Sequence, residues 1–282
     1  MKKIFLLFLA TIFLLPVPRA YAESNYIIDS FKSNIHIQQD GSVEVSEIID
    51  VTFSESSHGI YRYIPVVYRQ ENGQKEYTEI EVKDVSDGVN FVEYSSSYPG
   101  SNIEIKIGDP DKLVSGKKRY IINYNVRGVI KSYGDYDELY WNVTGNGWET
   151  PITSASTIVS ISSGEFKQAA CYIGQRGSKE TCIGSISNKK AIYSSPRLLE
   201  PHEGLTISVG FPKNTVPIIT IPAPLTIDQP KVQQTVIFSF LLTIIPALLF
   251  LIGLWWRNGR DSYYKRKSLH DPNQQEVTMP LF

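Results

Sequence analysis

The chain has 282 residues, of which 42% are hydrophobic and 20% are charged, and its formal net charge at pH 7 is −1. This balance leaves no excess of cations to meet a phosphate backbone, so it argues against a nucleic-acid partner. The 17 tyrosines, together with many turn-forming residues, favour β structure.

Residues 1–22 have the pattern of a signal peptide. Lys2 and Lys3 precede an apolar run from Ile4 to Leu15, and the small-x-small cleavage sequence Ala20-Tyr21-Ala22 follows. The apolar run is shorter than the roughly 18 residues that a membrane span needs, so an uncleaved anchor is the weaker alternative. We therefore expect cleavage at the end of this sequence and export of the rest.

Residues 23–211 alternate between apolar and polar side chains, as strands with one buried face do. Ile103, Ile105 and Ile107 show the alternation, and Asp40-Gly41 is a strong hairpin dipeptide. Glu47 interrupts the apolar face of the strand after that hairpin, which predicts a β-bulge there. Many short strands with frequent turns predict an all-β, antiparallel sandwich-like domain, built as one unit or two packed units.

Cys171 and Cys182 both lie in the segment predicted to be exported. Ten residues separate them, and glycines surround them, which suits a disulfide across a hairpin. A pair of free thiols remains the alternative. Two cysteines without a nearby histidine do not make a zinc site.

Residues 212–234 differ in character from the domain that precedes them. Prolines recur through this segment, which predicts a stiff, extended spacer between the domain and a bilayer. The prolines are Pro212, Pro217, Pro222, Pro224 and Pro230.

Residues 235–256 contain no charged side chain and predict one transmembrane helix. At the rise of an α-helix this stretch is about 33 Å long, enough for a hydrocarbon core of about 30 Å. Trp255 and Trp256 are expected at the membrane interface, and Arg257 and Arg260 open a basic tail over residues 257–282. Positive charge stays cytoplasmic, so we expect a cell-membrane protein with the tail inside and the β domain outside.

Two longer motifs carry a family resemblance. The stretches His58–Pro65 and Glu138–Trp148, with the Asp40–Val43 hairpin before them, resemble the DUF2207 family of predicted bacterial membrane proteins. The resemblance covers nearly the whole exported region and continues into Trp256–Asp261. It implies a signal peptide, an extracytoplasmic β domain and a membrane anchor, but no biochemical activity. The resemblance also implies that typical members continue past the helix into more membrane segments, so we expect this chain to be either a short member or a truncated reading frame.

The first motif contains candidate binding residues. Tyr61, Arg62 and Tyr63 are residue types favoured in binding sites, so they could form a ligand-binding patch. The alternative, which we consider stronger, is that Arg62 only braces a loop.

The second motif offers three further aromatic candidates. Tyr140 and Trp141 are neighbours on one strand and should point to opposite faces of a sheet. Trp148 could stack on a sugar or a peptide, but capping the end of the core is the stronger alternative. Asp135 and Asp137 with the adjacent glutamate could hold Ca²⁺, although a solvated acidic turn fits their spacing better.

Catalytic signals are weak. The chain has neither the zinc-binding HExxH pattern nor the GxSxG nucleophile motif. We therefore predict a non-enzymatic, membrane-anchored envelope protein that binds a protein or glycan partner and needs no cofactor or metal. The alternatives are a cell-wall-active hydrolase with an unrecognised carboxylate pair, and a sensor or assembly subunit that acts through the helix and tail.

Overall fold

The computed structural model describes residues 24–69, 72–223, 244–254, 264–265 and 278–279. The described residues up to Ala223 form one compact unit, and those after Pro224 belong to a second. The first unit is built from strands throughout, so the prediction of an all-β domain is confirmed.

Nineteen strands occur in the described residues. In chain order they are β1 (Tyr26–Ile37), β2 (Val43–Ser57), β3 (Ile60–Pro65), β4 (Val67–Arg69), β5 (Lys75–Tyr77), β6 (Glu79–Ser86), β7 (Tyr94–Ser97), β8 (Asn102–Ile107), β9 (Val114–Arg127), β10 (Ile130–Tyr133), β11 (Tyr136–Asn142), β12 (Ala155–Ile161), β13 (Gln168–Gly174), β14 (Glu180–Thr181), β15 (Ile183–Ile186), β16 (Lys190–Ser194), β17 (Gly204–Pro212), β18 (Tyr264–Lys265) and β19 (Thr278–Met279).

The strands of the first unit form four sheets. The largest has seven strands in the order β15-β16-β12-β1-β2-β9-β6, and the next has five in the order β10-β11-β17-β13-β14. A three-stranded sheet β3-β8-β7 and the pair β4-β5 complete the unit. In the second unit β18 pairs with β19.

One strand pair contradicts the expectation of a purely antiparallel fold. β1 and β12 are parallel, with Phe31 opposite Ala155 and Ile37 opposite Ile161. The chain enters β12 beside the start of β1, where the Phe31 N–H donates to the Ser154 carbonyl, so both strands run in the same direction. The other pairs between the described strands are antiparallel.

Alternation along the strands buries one face of the three larger sheets of the first unit in a shared core. In β8 the three isoleucines that alternate with polar residues are each at most 1% exposed. The inner faces of β2, β9, β11 and β17 contribute to the same hydrophobic cluster. Each fully buried isoleucine or valine contributes about 1.5–3 kcal/mol, so this shared core, rather than any single sheet, holds the unit together.

The predicted disulfide between Cys171 and Cys182 is present, with the two Cα atoms 5.4 Å apart. It closes the β13–β14 hairpin, in which Tyr172 lies opposite Thr181. Directly after Cys182 the chain leaves the five-stranded sheet and enters β15, at the edge of the seven-stranded sheet. The bridge therefore fixes the point at which the chain crosses between the two sheets.

The first part of the predicted spacer is not free of the domain. Val216 is buried in the core, and the Asn214 N–H donates to the Asp137 carboxylate over 3.0 Å. At Gly41, where φ is +81°, a Cβ atom would lie 2.1 Å from the Pro217 carbonyl oxygen. The chain thus packs against the domain beyond β17, and the proposed spacer from 224 to 234 lies outside the described residues.

Residues 244–254, within the predicted transmembrane segment, form a helix. Among the described residues, no helix has both the length and the apolar character that crossing a membrane requires. The predicted signal peptide and the proposed interface residues lie outside the described part of the chain. Those interface residues are Trp255, Trp256, Arg257 and Arg260.

Removing the disulfide should lower stability without changing the fold. For the double variant C171S/C182S we expect a loss of about 2–3 kcal/mol in the free energy of unfolding, because the closed loop is short. Guanidinium denaturation monitored by tryptophan fluorescence measures this loss. Reductant should destabilise the parent protein by a similar amount and leave the double variant unchanged; equal stability of the two proteins would contradict the prediction.

Candidate functional site

Arg62 lies at the centre of the unit and not on its surface. It points inward from β3 and is 1% exposed. Arginine has five N–H donors, and here each makes a hydrogen bond. Its guanidinium also lies over the ring of Phe31, 5.4 Å from the centroid, and near that of Trp148. Arg62 is therefore not part of a ligand-binding patch with Tyr61 and Tyr63, and its position agrees with the alternative in which it braces the structure.

Glu47 is the charged partner of Arg62. Its carboxylate is 0% exposed and accepts from the Arg62 Nε and Nη2 over 2.8 and 2.7 Å. The hydroxyl of Tyr124 donates to the same carboxylate over 2.6 Å. The pairing of β2 continues unbroken through Glu47 on both sides, so the predicted bulge is absent there. Glu47 interrupts the apolar face because it neutralises a buried cation.

The remaining donors of Arg62 join the two sequence motifs. They reach the carbonyl oxygens of Tyr63, Val143 and Thr144 over 2.8–2.9 Å. Gly145 follows with φ +77°, and a Cβ there would lie 2.7 Å from the Arg62 Nη1. The glycine is therefore required both by the backbone conformation and by the approach of the arginine.

The electrostatics of this cluster follow from burial and from the close opposite charge. Burial alone would lower the pKa of Arg62, but the adjacent charge of Glu47 raises it above its usual value. Burial and then the charge of Glu47 raise the pKa of Tyr124 well above its usual value. Arg62 therefore stays charged and Tyr124 keeps the proton that it donates.

The two tryptophans of the second motif are also buried. Trp141 is 2% exposed and Trp148 is 4% exposed. The Trp148 indole N–H donates to the Thr144 carbonyl over 2.8 Å, and its ring packs edge-on against Phe31. Neither ring can stack on a ligand, because both fill the core. Tyr140 is half exposed and points away from Trp141, which confirms that they occupy opposite faces.

A cleft of about 540 Å³ lies directly beside this cluster. Tyr63 and Tyr140, both predicted as binding residues, line it, whereas Tyr61 lies next to it on β3. Its lining residues are Tyr63, Pro65, Val67, Tyr68, Ser101, Asn102, Tyr140, Asn142, Asn146, Gly147, Tyr172, Ile173, Gly174, Gln175, Arg176, Gly177, Ser178, Gly204 and Thr206.

Tyr172 faces the cleft from the strand on the far side of β17. Tyr140 on β11 lies opposite Ser208, and Tyr172 on β13 lies opposite Thr206, so the two tyrosines flank β17. Burial and then the neighbouring Tyr172 raise the pKa of Tyr140. Sequence reasoning missed Tyr172 and Tyr68, because neither belongs to the two long motifs.

The inner wall of the cleft is a fixed network of amides. The Asn142 side chain donates to Asn146 over 2.7 Å and accepts from the Gly145 N–H over 3.0 Å. Asn146 in turn donates to the carbonyls of Gly174 and His202. These bonds tie the turn after β11 to the end of β13, so the wall is rigid before any ligand arrives.

An exposed ion cluster supports the rim of the cleft. Arg197 donates to Glu180 at the start of β14 and to Glu203 just before β17. Hydrogen bonds from Arg197 are the main cause of the lowered pKa of both carboxylates. The cluster connects the start of β14 with the residue before β17, and the rim residues Gln175–Ser178 belong to the loop between β13 and β14.

The acidic residues proposed for Ca²⁺ do not gather at one point. Asp137 is buried, not solvated, and one of its oxygens accepts from the Asn214 N–H. Glu138 hydrogen-bonds to the hydroxyl of Ser208 on the outer face of the sheet. Within the described residues, no group of three or more His, Cys, Asp or Glu side chains could hold a metal ion.

The sequence of the all-β unit matches a known protein family. The profile of the N-terminal domain of predicted membrane proteins, DUF2207, matches residues 27–211, and the chain belongs to that family. A curated relative is the uncharacterised protein YciQ of Escherichia coli strain K12, which is 25% identical over 250 residues. The match covers 84% of this chain and 37% of the relative, so the chain spans little more than a third of that protein's length.

Solved structures give only weak likenesses. An M1 zinc metallopeptidase from Deinococcus radiodurans is 10% identical with a TM-score of 0.37, covering 66% of this chain and 42% of the other. Yeast LTA4 hydrolase in complex with bestatin is 6% identical with a TM-score of 0.46, covering 71% and 32%. At these values neither likeness carries an argument about this protein.

Neutralising Glu47 should be far more damaging than neutralising a partly exposed carboxylate. We expect E47Q to cost about 3–5 kcal/mol of unfolding free energy, because Arg62 would keep a buried charge without a counter-charge. The matched control is D50N, which neutralises a partly exposed carboxylate that pairs across the strands with Arg119 and also accepts from the Ser30 hydroxyl. Its cost should be about 0–1 kcal/mol. Urea denaturation of both variants measures the difference, and equal losses would refute the structural role of the buried pair.

Proposed function

We propose that this chain is a membrane-anchored, non-enzymatic binding protein of the cell envelope, and that its extracytoplasmic β domain holds a ligand in the tyrosine-lined cleft. The observation that carries the proposal is the cleft itself. It combines exposed tyrosine rings with a prearranged amide wall. Tyrosine is among the residues most enriched where proteins bind partners, since its ring is large and its hydroxyl is polar.

Binding is favoured over hydrolysis by the chemistry of the lining. A glycosidase mechanism of the common kind needs two carboxyl groups about 5–9 Å apart in the cleft. The described lining contains no Asp, Glu or His, and its one formally charged residue is Arg176. The lining residues can position a ligand, but none of them is a carboxylate or an imidazole that could act as a general acid or base.

The proposed location rests on three sequence signals and one structural feature. The signal-peptide pattern, the apolar stretch over 235–256 and the basic residues after it all indicate the same orientation. The Cys171–Cys182 disulfide suits an oxidising compartment outside the cytoplasm. Membership of a family of predicted membrane proteins supports the membrane location.

Protease accessibility tests this orientation. With a C-terminal epitope tag and expression in bacterial spheroplasts, we expect added proteinase K to remove the β domain. A small tagged fragment containing the helix and tail should be protected. Its disappearance in detergent-lysed samples is the control. Protection of the β domain, or loss of the tag in intact spheroplasts, would reverse or refute the topology.

Site-specific photo-crosslinking of the full-length protein in cells tests the cleft. A benzophenone amino acid placed at Tyr140 or at Tyr172 should form covalent adducts with an envelope component, because both side chains face the cleft. The matched control is the same replacement at Tyr133, which is similarly exposed and lies outside the cleft lining. Adduct yields at the cleft positions no higher than at Tyr133 would refute the proposed site.

A further inference from the structure

We infer that the ligand of the cleft is a linear glycan, bound against tyrosine rings with an acidic substituent directed to Arg176. This inference rests on the proposed function and specifies the chemical class that the same site would accept. Four features carry it: the placement of the tyrosines, the shape of the floor, the unused hydrogen-bonding groups and the charge at the rim.

Tyrosine rings lie within the cleft and directly beside it. Tyr61 and Tyr63 lie on one face of β3, stacked with their centroids 6.3 Å apart and their planes at 12°. Tyr63 also lines the cleft, together with Tyr140 and Tyr172. Flat aromatic faces carry partial negative charge and attract the polarised C–H groups on the faces of sugar rings. Several such ring faces in and beside one cleft suit a polymer of sugar rings better than one compact ligand.

The floor of the cleft is formed by small residues of β17, a strand whose two edges are already paired. β17 contributes Gly204 and Thr206 to the lining, between the strands that carry Tyr140 and Tyr172. Two strand spacings separate those tyrosines, roughly 10 Å, which leaves room for a sugar ring above the floor. β17 is hydrogen-bonded to strands on both sides, so a peptide cannot bind there by adding a strand.

The polar groups that remain available match hydroxyl groups. The side chains of Asn142 and Asn146 form hydrogen bonds within the wall. The side chains of Asn102, Gln175 and Tyr172 also line the cleft, and they make no hydrogen bond to any described residue. An amide or a phenol can both donate and accept. Sugar hydroxyls do the same, so each pairing can be satisfied in either direction.

Charge at the rim distinguishes an acidic glycan from a neutral one. Arg176 is exposed and is the single formally charged residue in the described lining. A guanidinium forms bidentate bonds with carboxylates. A glycan with a carboxylate on every second sugar could therefore place one beside Arg176 while its rings follow the tyrosines.

Titration calorimetry with the full-length protein in nanodiscs tests the inference. The probes are β-1,4-linked N-acetylglucosamine oligomers of two and six sugars, peptide-free peptidoglycan strands that alternate N-acetylglucosamine with the acidic N-acetylmuramic acid, and a proline-rich peptide. We expect the six-sugar oligomer to bind about tenfold tighter than the two-sugar one. The acidic strands should bind tighter still, and the proline-rich peptide should not bind.

Three variants separate the parts of the site, and all change exposed or half-exposed side chains. Y140A should weaken every glycan about tenfold, whereas Y61A should weaken only the six-sugar oligomer and the strands. R176Q should weaken only the acidic strands. Y133A, outside the cleft, is the control and should bind like the parent protein.

The outcomes distinguish this inference from the proposed function. Binding of the proline-rich peptide but of no glycan, or crosslinks from Tyr140 and Tyr172 without glycan binding, would overturn the glycan inference and leave the cleft as a binding site. Equal binding by Y140A and Y133A would show that glycan binds elsewhere and would overturn the inference. Absence of both crosslinks and glycan binding would overturn the inference and the proposed function together.

Discussion

The ion pair between Arg62 and Glu47 is the interaction on which the rest of this unit depends. Glu47 comes from the seven-stranded sheet, Arg62 from the three-stranded sheet, and the carbonyls of Val143 and Thr144 follow a strand of the five-stranded sheet. Burying two charges is costly unless their hydrogen-bonding capacity is used. Here every N–H of the guanidinium has an acceptor, so the pair is satisfied in the observed placement of the three sheets.

The same pair explains how the two longest sequence motifs both support the cleft and line it. Arg62 and Trp148 point into the core, and each hydrogen-bonds to the carbonyl of Thr144. Tyr63, which follows Arg62, and Asn146 and Gly147, which precede Trp148, line the cleft. The motifs therefore provide both a support inside the core and part of the cleft surface. On β3 the opposite directions of Arg62 and Tyr63 follow from the alternation of side chains along a strand.

Local patterns predicted the local features well. Period-two alternation gave the β class, and the cysteine spacing gave the disulfide. Predictions from the sequence were wrong or incomplete where pairing between distant residues decides the structure. A glutamate within an apolar face indicates a bulge unless its partner 15 residues later is known to reach it. The parallel pairing of β12 and the cleft, whose tyrosines lie far apart in sequence, are equally invisible to any local rule.

The path by which the chain leaves the domain also determines how the domain would resist a pulling force. β17 forms the floor of the cleft and leads, through Val216 and the contact with Gly41, toward the stretch predicted to span the membrane. β17 is hydrogen-bonded along both edges to β11 and β13. If the proposed ligand and the proposed membrane anchor pull on the domain together, the force would load two ladders of hydrogen bonds in shear, all at once, instead of separating them one bond after another.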